Sequence, residues 1–288
     1  MKIAVLGAAG NMGKWLVQYF ASRGHLLTVF DINRDELRML SKNYKVKVAR
    51  DNLEAVKDAE LTIVSVPIDK TVKVLRDIAA KLKRKSIVVE IASIKAGIIE
   101  VLKECSNFGV QPLSLHPLFG PLKRTGKKKI ALIPVLSLRN ELKIAKKIFP
   151  DAEFHVVNAE KHDRLMAVTL SLPYFINMTL ASTFRSENFE TLMEFGGTTF
   201  TLQSILIGSI MVQSPELHAS LHMANKYSIK YLKEFLFNAE KIIRIIESGS
   251  VEKFKALSNE INNSLSKSLD LEASYNKMYI ALEALEKS

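Results

Sequence analysis

The chain has 288 residues, 48% of them hydrophobic, and a net charge of +11. This length fits one large or two ordinary domains with packed cores. The single cysteine, Cys105, excludes an internal disulfide, which fits a cytoplasmic protein, and we assign it no role. The apolar residues that follow Met1 are too short and too soon interrupted by glycine to form a signal peptide.

The charge is concentrated in the first half of the chain. Residues 1–150 contain 28 basic and 13 acidic residues, a net +15, whereas the remainder contains 13 and 17, a net −4. This asymmetry suggests an anionic ligand for the first half. Most of the lysines are scattered singly along predicted helices and no aromatic residues alternate with them, so no nucleic-acid partner is expected.

The first 31 residues follow a strand–turn–helix–strand pattern. An apolar strand over residues 2–6 runs into a glycine-rich turn, a helix follows, and a second strand over residues 26–30 ends at Asp31. In this pattern Gly7 makes the tight turn, Gly10 lets a pyrophosphate approach the backbone, and Gly13 lets the helix pack on the strand. The pattern predicts a dinucleotide site. Its predicted contacts are Gly7, Ala9, Gly10, Asn11, Met12, Gly13, Asp31, Asn33, Arg34, Ser65, Val66 and Pro67.

Asp31 favours NAD over NADP. Its carboxylate can accept hydrogen bonds from the ribose hydroxyls, and its charge would repel a 2′-phosphate. Arg34 could instead pair with such a phosphate, so NADP stays open as an alternative.

Strands and helices then alternate to about residue 150. This alternation is typical of a doubly wound parallel sheet of the Rossmann type, in which ligands bind outside the carboxyl ends of the strands. The predicted strands are 46–48, 61–67, 86–91, 111–115 and 130–134, and the predicted helices are 35–42, 52–59, 71–82, 98–105 and 139–149. The singled-out motifs all follow strand ends, which predicts an active site at that edge. We therefore predict an α/β dinucleotide-binding domain over 1–150.

His116 lies in a stiff stretch that follows the strand at 111–115. Pro117 restricts His116 to extended backbone, and Pro121 fixes its own φ angle. Gly120 is expected to let the chain turn where a side chain would clash. Histidine titrates nearest to neutral pH, so a rigidly held imidazole suggests acid–base chemistry, although a structural turn is the alternative.

Residues 151–288 are predicted to form an all-helical domain for substrate binding and dimerisation. Two stretches, 165–184 and 195–215, contain no charged residue and reach the length of a membrane span. Both contain many polar residues and helix breakers, so we expect buried helices and no membrane contact. Since a domain this small would bury them more easily in a dimer, the sequence predicts an intertwined homodimer. His218 and His222 lie one helical turn apart, but no third ligand is evident and no metal site is predicted.

Four stretches resemble the prephenate dehydrogenase family of tyrosine biosynthesis. They are Gly7-Ala8-Ala9-Gly10-Asn11-Met12-Gly13-Lys14-Trp15, Val64-Ser65-Val66-Pro67-Ile68, Val89-Glu90-Ile91-Ala92-Ser93-Ile94-Lys95 and Leu115-His116-Pro117-Leu118-Phe119-Gly120-Pro121. The last two are specific at this spacing, whereas many dehydrogenases share the first two. Beyond about residue 122 the similarity is thinner and consists of His162-Asp163 and the stretch from Gly208 to Leu217.

The resemblance implies NAD(P)-dependent oxidative decarboxylation of prephenate to 4-hydroxyphenylpyruvate. It implies that His116 accepts a hydrogen bond from the C4 hydroxyl, that Ser93 orients His116 or the nicotinamide amide, and that Lys95 meets a substrate carboxylate or helps to position Ser93. Gln213 and Tyr174 are the other expected substrate contacts. Ser209 and Thr201 depart from the family pattern, because they stand where members have arginines. The cation must then come from elsewhere, with Lys95, Lys123, Arg124, Arg164 and Arg185 as the candidates.

Three other interpretations remain. The same chemistry on arogenate would give tyrosine directly. A reductase acting on a hydroxy acid or an imine usually has a lysine in the first long helix of its second domain, which residues 165–184 lack. A dinucleotide sensor without catalysis would explain the two missing arginines.

Overall fold

The structure is a computed structural model that describes residues 1–122 and 126–286. In these two ranges the strands are β1 (Lys2–Leu6), β2 (Leu26–Phe30), β3 (Val46–Val48), β4 (Leu61–Val64), β5 (Ile87–Glu90), β6 (Gln111–Pro117), β7 (Lys128–Ile133) and β8 (Ala152–Val156). The helices of the first 170 residues are α1 (Asn11–Ala21), α2 (Arg34–Asn43), α3 (Asn52–Val56), α4 (Ile68–Ala79), α5 (Ile98–Ser106), α6 (Leu138–Ile148) and α7 (Ala159–Met166).

The described strands form one eight-stranded sheet in the order β3-β2-β1-β4-β5-β6-β7-β8. Strands β1 to β6 are parallel, which confirms the doubly wound α/β fold. The sheet departs from parallel pairing at one place, because β7 runs antiparallel to β6. The sequence also missed β8, which pairs in parallel with β7 at the edge of the sheet.

Both faces of the sheet are covered, so its central strands are buried along most of their length. All four residues of β4 are buried, and so are Ile3 to Leu6 of β1. One cluster of buried side chains includes Leu16 of α1 and Leu37 of α2, and the other includes Leu75 of α4 and Leu102 of α5. Burial of each such side chain contributes about 1.5–3 kcal/mol.

An aromatic cluster ties α1 to the segment that follows His116. Trp15 stacks on Tyr19 with 5.0 Å between ring centroids and meets Phe119 edge-on at 5.1 Å. Phe149 packs against both α1 rings. Since Phe119 lies three residues after His116, these contacts anchor the His116 segment on the helix that begins at the glycine-rich turn.

The chain divides into two compact units. The first comprises residues 1–170 and 215–227, and the second comprises 171–214 and the described residues from 228 onward. The division differs from the expected boundary at residue 150, because β8 and α7 belong to the first unit. The helix α11 (Pro215–Met223) also belongs to that unit, where it packs on α4.

The second unit is helical over its described residues. Its helices are α8 (Leu172–Phe184), α9 (Phe189–Phe195), α10 (Thr198–Met211), α12 (Ser228–Glu247), α13 (Val251–Leu265) and α14 (Leu271–Glu286). The expectation that the uncharged helices are buried on all sides is wrong for the single chain. Of α8 only Asn177 is buried, and of α10 only Ile207 and Ile210.

A five-residue π-helical segment, Ala167–Ser171, connects α7 to α8. The resulting stretch Ala159–Phe184 is the one helix among the described residues that is long and apolar enough to cross a membrane. This is weak evidence for a membrane span. It rests on length and composition alone, and a core helix of a soluble protein has the same properties.

Candidate active site

The predicted site residues of the first unit follow the carboxyl ends of neighbouring parallel strands. Leu6, the last residue of β1, pairs with Phe30 on one side and Val64 on the other, and the same row continues through Glu90 to Ser114. Parallel strands end at the same edge, where open α/β sheets bind ligands. The register therefore brings the glycine-rich turn, Asp31, Ser65, Ser93 and His116 to one edge of the sheet.

The glycine-rich turn has no room for side chains at two of its three glycines. Gly7 has a φ of +79°, and a Cβ there would lie 2.3 Å from the Ser65 carbonyl oxygen. A Cβ on Gly13 would lie 2.0 Å from the Gly7 oxygen. At Gly10 the nearest atom is 3.4 Å away, so this position is open before the first turn of α1. The turn therefore fits a pyrophosphate at the helix N-terminus.

Asp31 is held rigidly beside this turn. Its Oδ2 accepts a hydrogen bond from the Ala9 amide at 3.0 Å, and its Oδ1 accepts one from the Asn33 amide at 2.9 Å. Both oxygens are thus oriented by backbone donors, which leaves lone pairs for ribose hydroxyls.

The residues after Asp31 have structural partners. The Asn33 side chain caps α2 by accepting from the Glu36 amide. The Arg34 guanidinium donates to the carbonyls of Ala49 and Arg50 and lies over the Phe30 ring. Arg34 is therefore engaged with backbone in this structure.

The remaining predicted dinucleotide contacts lie on the same edge of the sheet. Asn11 and Met12 form the first turn of α1, with Asn11 exposed and Met12 half-buried. Ser65 and Val66 follow β4, and Pro67 is the residue before α4.

His116 lies within β6 and not in the loop after it. It pairs with Ala131 of β7, so sheet hydrogen bonding holds its backbone in addition to Pro117. The structure does not support the expectation for Gly120, because a Cβ there would meet no atom of the described residues within 4 Å. The antiparallel β6–β7 pair therefore holds the backbone of His116 in addition to Pro117.

A chain of hydrogen bonds runs inward from His116. Its Nδ1 lies 3.0 Å from Nε2 of His162, and Nδ1 of His162 lies 2.9 Å from Oδ1 of Asp163. All three side chains are buried, with His116 only 6% exposed. His162 and Asp163 occupy the buried face of α7, and the Asn225 amide group donates to the Asp163 backbone carbonyl at 2.7 Å. Segment 215–227 thus braces the helix that supports His116.

A buried ion pair lies behind His116. Lys95 Nζ donates to Glu90 Oε1 at 2.6 Å and to the Leu115 carbonyl at 2.7 Å, and neither side chain has any exposed surface. The Lys95 amide donates to Asp163 Oδ1 at 2.8 Å, and Glu90 also accepts from the Ser114 hydroxyl and the Ala92 amide. These bonds satisfy both charges, which an isolated buried ion pair would not achieve.

This surrounding keeps His116 uncharged near neutral pH. Burial and the neighbouring Lys95 ammonium lower the pKa of His116 well below its ordinary value of 6.5. A neutral imidazole has one nitrogen free to accept a proton, as a general base requires.

Ser93 and Lys95, both predicted to be catalytic, lie in the same loop, but Lys95 is fully buried and Ser93 is not. Ser93 lies half-buried in the loop between β5 and α5, two residues before Lys95. Lys95 itself cannot meet a substrate carboxylate in this arrangement, because its ammonium is fully buried and bonded to Glu90 and Leu115. Of its two expected roles, only help in positioning the Ser93 loop is compatible with this geometry.

The substrate residues predicted in the helical half lie in the second unit. Tyr174 is on α8, and burial raises its pKa above the ordinary value. Gln213 follows α10, and its side-chain amide reaches the Ser209 carbonyl at 3.5 Å. The hydroxyls of Thr201 and Ser209 bond to carbonyls of their own helical turns, at Gly197 and Leu206.

Burial removes one of the cations that were candidates to replace the two arginines of the family pattern. Lys95 is buried, whereas Arg164 at the end of α7 and Arg185 at the end of α8 are exposed. Lys123 and Arg124 lie outside the described residues.

Sequence reasoning assigned no role to Glu90, Ser114, His162, Asp163 or Asn225. The available signal was an acid at the end of an apolar strand, since a buried carboxylate requires a partner. Within the described ranges, no group of three or more His, Cys, Asp or Glu side chains is arranged to hold a metal ion.

Two family models match the chain. Residues 18–131 match the nucleotide-binding domain of prephenate dehydrogenase, and residues 158–260 match its dimerization domain. The first match lies on the sheet that bears His116, and the second begins at α7.

Curated relatives and solved structures agree with these matches. A probable arogenate/prephenate dehydrogenase of Methanocaldococcus jannaschii is 24% identical over 90% of this chain and 60% of its own length. The T-protein of Enterobacter agglomerans is 23% identical over 90% of this chain and 66% of its own length. The chain thus spans about two thirds or less of the length of these relatives.

Two crystal structures show the same fold over 93% of the chain. They are prephenate dehydrogenase from A. aeolicus in complex with hydroxyphenyl propionate and NAD+ (TM-score 0.74, 16% identity, 98% of that chain) and Synechocystis arogenate dehydrogenase (TM-score 0.68, 19% identity, all of that chain). Given the two family models together with these relatives, the chain belongs to the prephenate dehydrogenase family.

Proposed function

We propose that the protein is an NAD-dependent prephenate dehydrogenase of tyrosine biosynthesis. The observation that supports this most is the buried, uncharged His116 at the sheet edge where the glycine-rich turn and Asp31 lie. A base and a dinucleotide cradle at one edge are what a dehydrogenase acting on a hydroxyl requires.

In the proposed reaction, prephenate loses its ring carboxylate and becomes 4-hydroxyphenylpyruvate. NAD supplies the acceptor for the hydride that leaves C4. His116 accepts the proton of the C4 hydroxyl as the hydride leaves. The ring carboxylate departs as CO2 and leaves its electron pair to the ring, which becomes aromatic, and the resulting phenolate oxygen takes the proton back. A well-placed base of this kind contributes roughly 10²–10⁴-fold to the rate. Ser93 orients His116 or the nicotinamide amide, and Lys95 acts from behind His116 through its charge.

NAD is proposed in preference to NADP because of Asp31. Its carboxylate is fixed by two backbone amides and would repel a 2′-phosphate, while Arg34 is bonded to the Ala49 and Arg50 carbonyls. An NAD complex in the A. aeolicus structure agrees with this preference.

Arogenate is the competing substrate. It differs from prephenate by an amino group in place of a keto oxygen, and the relatives bear both names. Ser209 and Thr201 lie on α10 at the positions where the family pattern has arginines. The choice between the two substrates therefore depends on a cation elsewhere in the protein.

We also propose a cytoplasmic homodimer formed through the second unit. Its helices expose large apolar side chains in the single chain, such as Phe237 at 65% and Ile280 at 65%. A match to a dimerization domain over residues 158–260 supports this assembly. The single cysteine, Cys105, is buried and unpaired with another cysteine, which suits a reducing compartment.

The function is tested by the absorbance of reduced nicotinamide. The purified protein is mixed with prephenate and NAD, prephenate and NADP, and the same two cofactors with arogenate. We expect turnover with prephenate and NAD, and 4-hydroxyphenylpyruvate as the product. Turnover with arogenate alone would move the proposal to arogenate dehydrogenase.

NAD binding without turnover of either compound would contradict an enzymatic function and favour a dinucleotide sensor. An Asp31→Ser variant serves as the control for cofactor choice. It should weaken NAD and improve NADP as substrates without changing the product.

A further inference from the structure

The hydrogen bonds from Asp163 to His116 have a defined direction. Oδ1 of Asp163 accepts from the Lys95 amide at 2.8 Å, so this oxygen acts as an acceptor. The 2.9 Å contact from the same oxygen to His162 Nδ1 then requires a hydrogen on Nδ1.

The hydrogen on His162 Nδ1 also determines which histidine donates in the contact between His162 and His116. A neutral His162 with its hydrogen on Nδ1 presents a lone pair at Nε2. With His162 in this neutral form, the 3.0 Å contact between that nitrogen and His116 Nδ1 is donated by His116. A neutral His116 that donates through Nδ1 has its lone pair on Nε2.

We propose that His162 and Asp163 are positioning residues that hold His116 in the tautomer with hydrogen on Nδ1 and a bare Nε2. A neutral histidine without such a partner carries its hydrogen mainly on Nε2, where it would be unable to accept the substrate proton. The catalytic meaning rests on the proposed function, since the bare Nε2 is the atom that would receive the C4 hydroxyl proton. The tautomer itself does not depend on the substrate.

The supporting elements make this arrangement specific. His162 and Asp163 come from α7, Lys95 from the loop after β5, and Asn225 from the turn after α11. The Lys95 ammonium, paired with Glu90, is the charged group behind His116, and it disfavours a proton on both imidazole nitrogens. The Ala159–Met166 helix is fixed at its start by Asn158, whose side chain accepts from the Lys161 amide at 2.8 Å.

The direct test is nitrogen NMR of the protein labelled with ¹⁵N-histidine at pH 7.5–8, without substrate. The His116 signals are assigned by their loss in His116→Gln. We expect a protonated Nδ1 and an unprotonated Nε2 in the wild type. In His162→Phe the acceptor is removed, and the hydrogen should move largely to Nε2. His155→Gln is the matched control, because His155 is half-exposed and outside this network, so His116 should keep its wild-type signals.

A kinetic test separates positioning from folding. His162→Phe should lower kcat at least tenfold and leave the KM for NAD unchanged. His162→Gln should recover part of the loss, because its amide oxygen can take the place of the Nε2 lone pair. Thermal melting of each variant shows whether the fold survives.

Two results would overturn the proposal. One is a wild-type His116 with its hydrogen on Nε2, as a doubly protonated His162 would impose. The other is an unchanged His116 tautomer in a folded His162→Phe. Absence of turnover on any cyclohexadienol would instead overturn the proposed function, and the NMR result would still stand.

Discussion

At the scale of single residues, the electrostatic environment of His116 depends on the fully buried ammonium group of Lys95. Lys95 and Glu90 form a fully buried pair, and the Lys95 ammonium lowers the pKa of His116 in addition to burial. Removing one partner of such a pair typically costs about 3–5 kcal/mol, whereas replacing both can be nearly neutral. The pair can therefore be removed together to isolate its electrostatic effect.

The double variant Lys95→Met/Glu90→Gln should raise the pKa of His116 towards 6.5, although burial still keeps it lower. Because the neutral imidazole is the active form, activity is present above this pKa and is lost as the pH falls through it. The acid limb of kcat/KM should therefore move to higher pH. The exposed pair Lys73–Asp77 provides the control, since Lys73→Met/Asp77→Asn should leave the profile unchanged. An unmoved acid limb in the folded double variant would contradict the role of Lys95.

The sequence identified His116 because the motif around it is local. The sequence singled out His162-Asp163 only as a stretch that resembles the family, and it gave these residues no role. Their contact with His116 could not be predicted, since Glu90, His162 and Asp163 reach this site only through the sheet register and the packing of α7. A role for Lys95 as a substrate ligand was plausible for a lysine near a strand end. The tertiary contact with the Leu115 carbonyl excludes it here.

At the scale of elements, the glycine-rich turn needs glycine for two different reasons, helix packing at one position and space for a ligand at another. A Cβ at Gly13 would overlap the Gly7 oxygen and Ala8, so this glycine serves packing of α1 on the turn. A Cβ at Gly10 would meet protein only at 3.4 Å, so this glycine keeps space for a ligand.

We therefore expect different effects from alanine at the two positions. Gly13→Ala should lower the free energy of unfolding by about 1–3 kcal/mol through overpacking. Gly10→Ala should melt near the wild type but weaken NAD binding about tenfold, or 1.4 kcal/mol. Thermal melts and NAD titrations on both variants check this. Equal loss of stability at the two positions would show that Gly10 is also a packing residue.

The predicted elements were correct where periodicity and turn residues agree. Strand β1, the glycine-rich turn and α1 follow directly from the local pattern. The direction of β7 could not be predicted, because it depends on the path of the connection from β6. Strand β8 was missed because its five residues mix polar and apolar types at a half-buried edge.

At the scale of the whole molecule, the second unit leaves much apolar surface uncovered within one chain. Its uncharged helices were expected to be buried on all sides, yet α8 and α10 contain only three buried residues among those described. The sequence predicted that a dimer would bury these helices, and the apolar side chains left exposed in one chain support that prediction. A partner chain is the simplest cover for such a surface.

Analytical ultracentrifugation should give twice the mass of one chain at micromolar concentration. Phe237→Glu, on α12, should weaken this dimer because it places a charge on an apolar, 65% exposed position. Leu26→Glu is the control, because Leu26 is similarly exposed at 66% but lies on the sheet. A monomeric wild type, or a dimer equally weakened by both substitutions, would contradict assembly through the second unit.

The most direct test of the central claim is the turnover of His116→Gln with prephenate and NAD, measured beside its affinity for NAD. If His116 is the base, NAD binding should equal that of the wild type while kcat falls at least a hundredfold. Near-normal turnover with intact NAD binding would show that another group accepts the substrate proton. His116 would then not be the catalytic base.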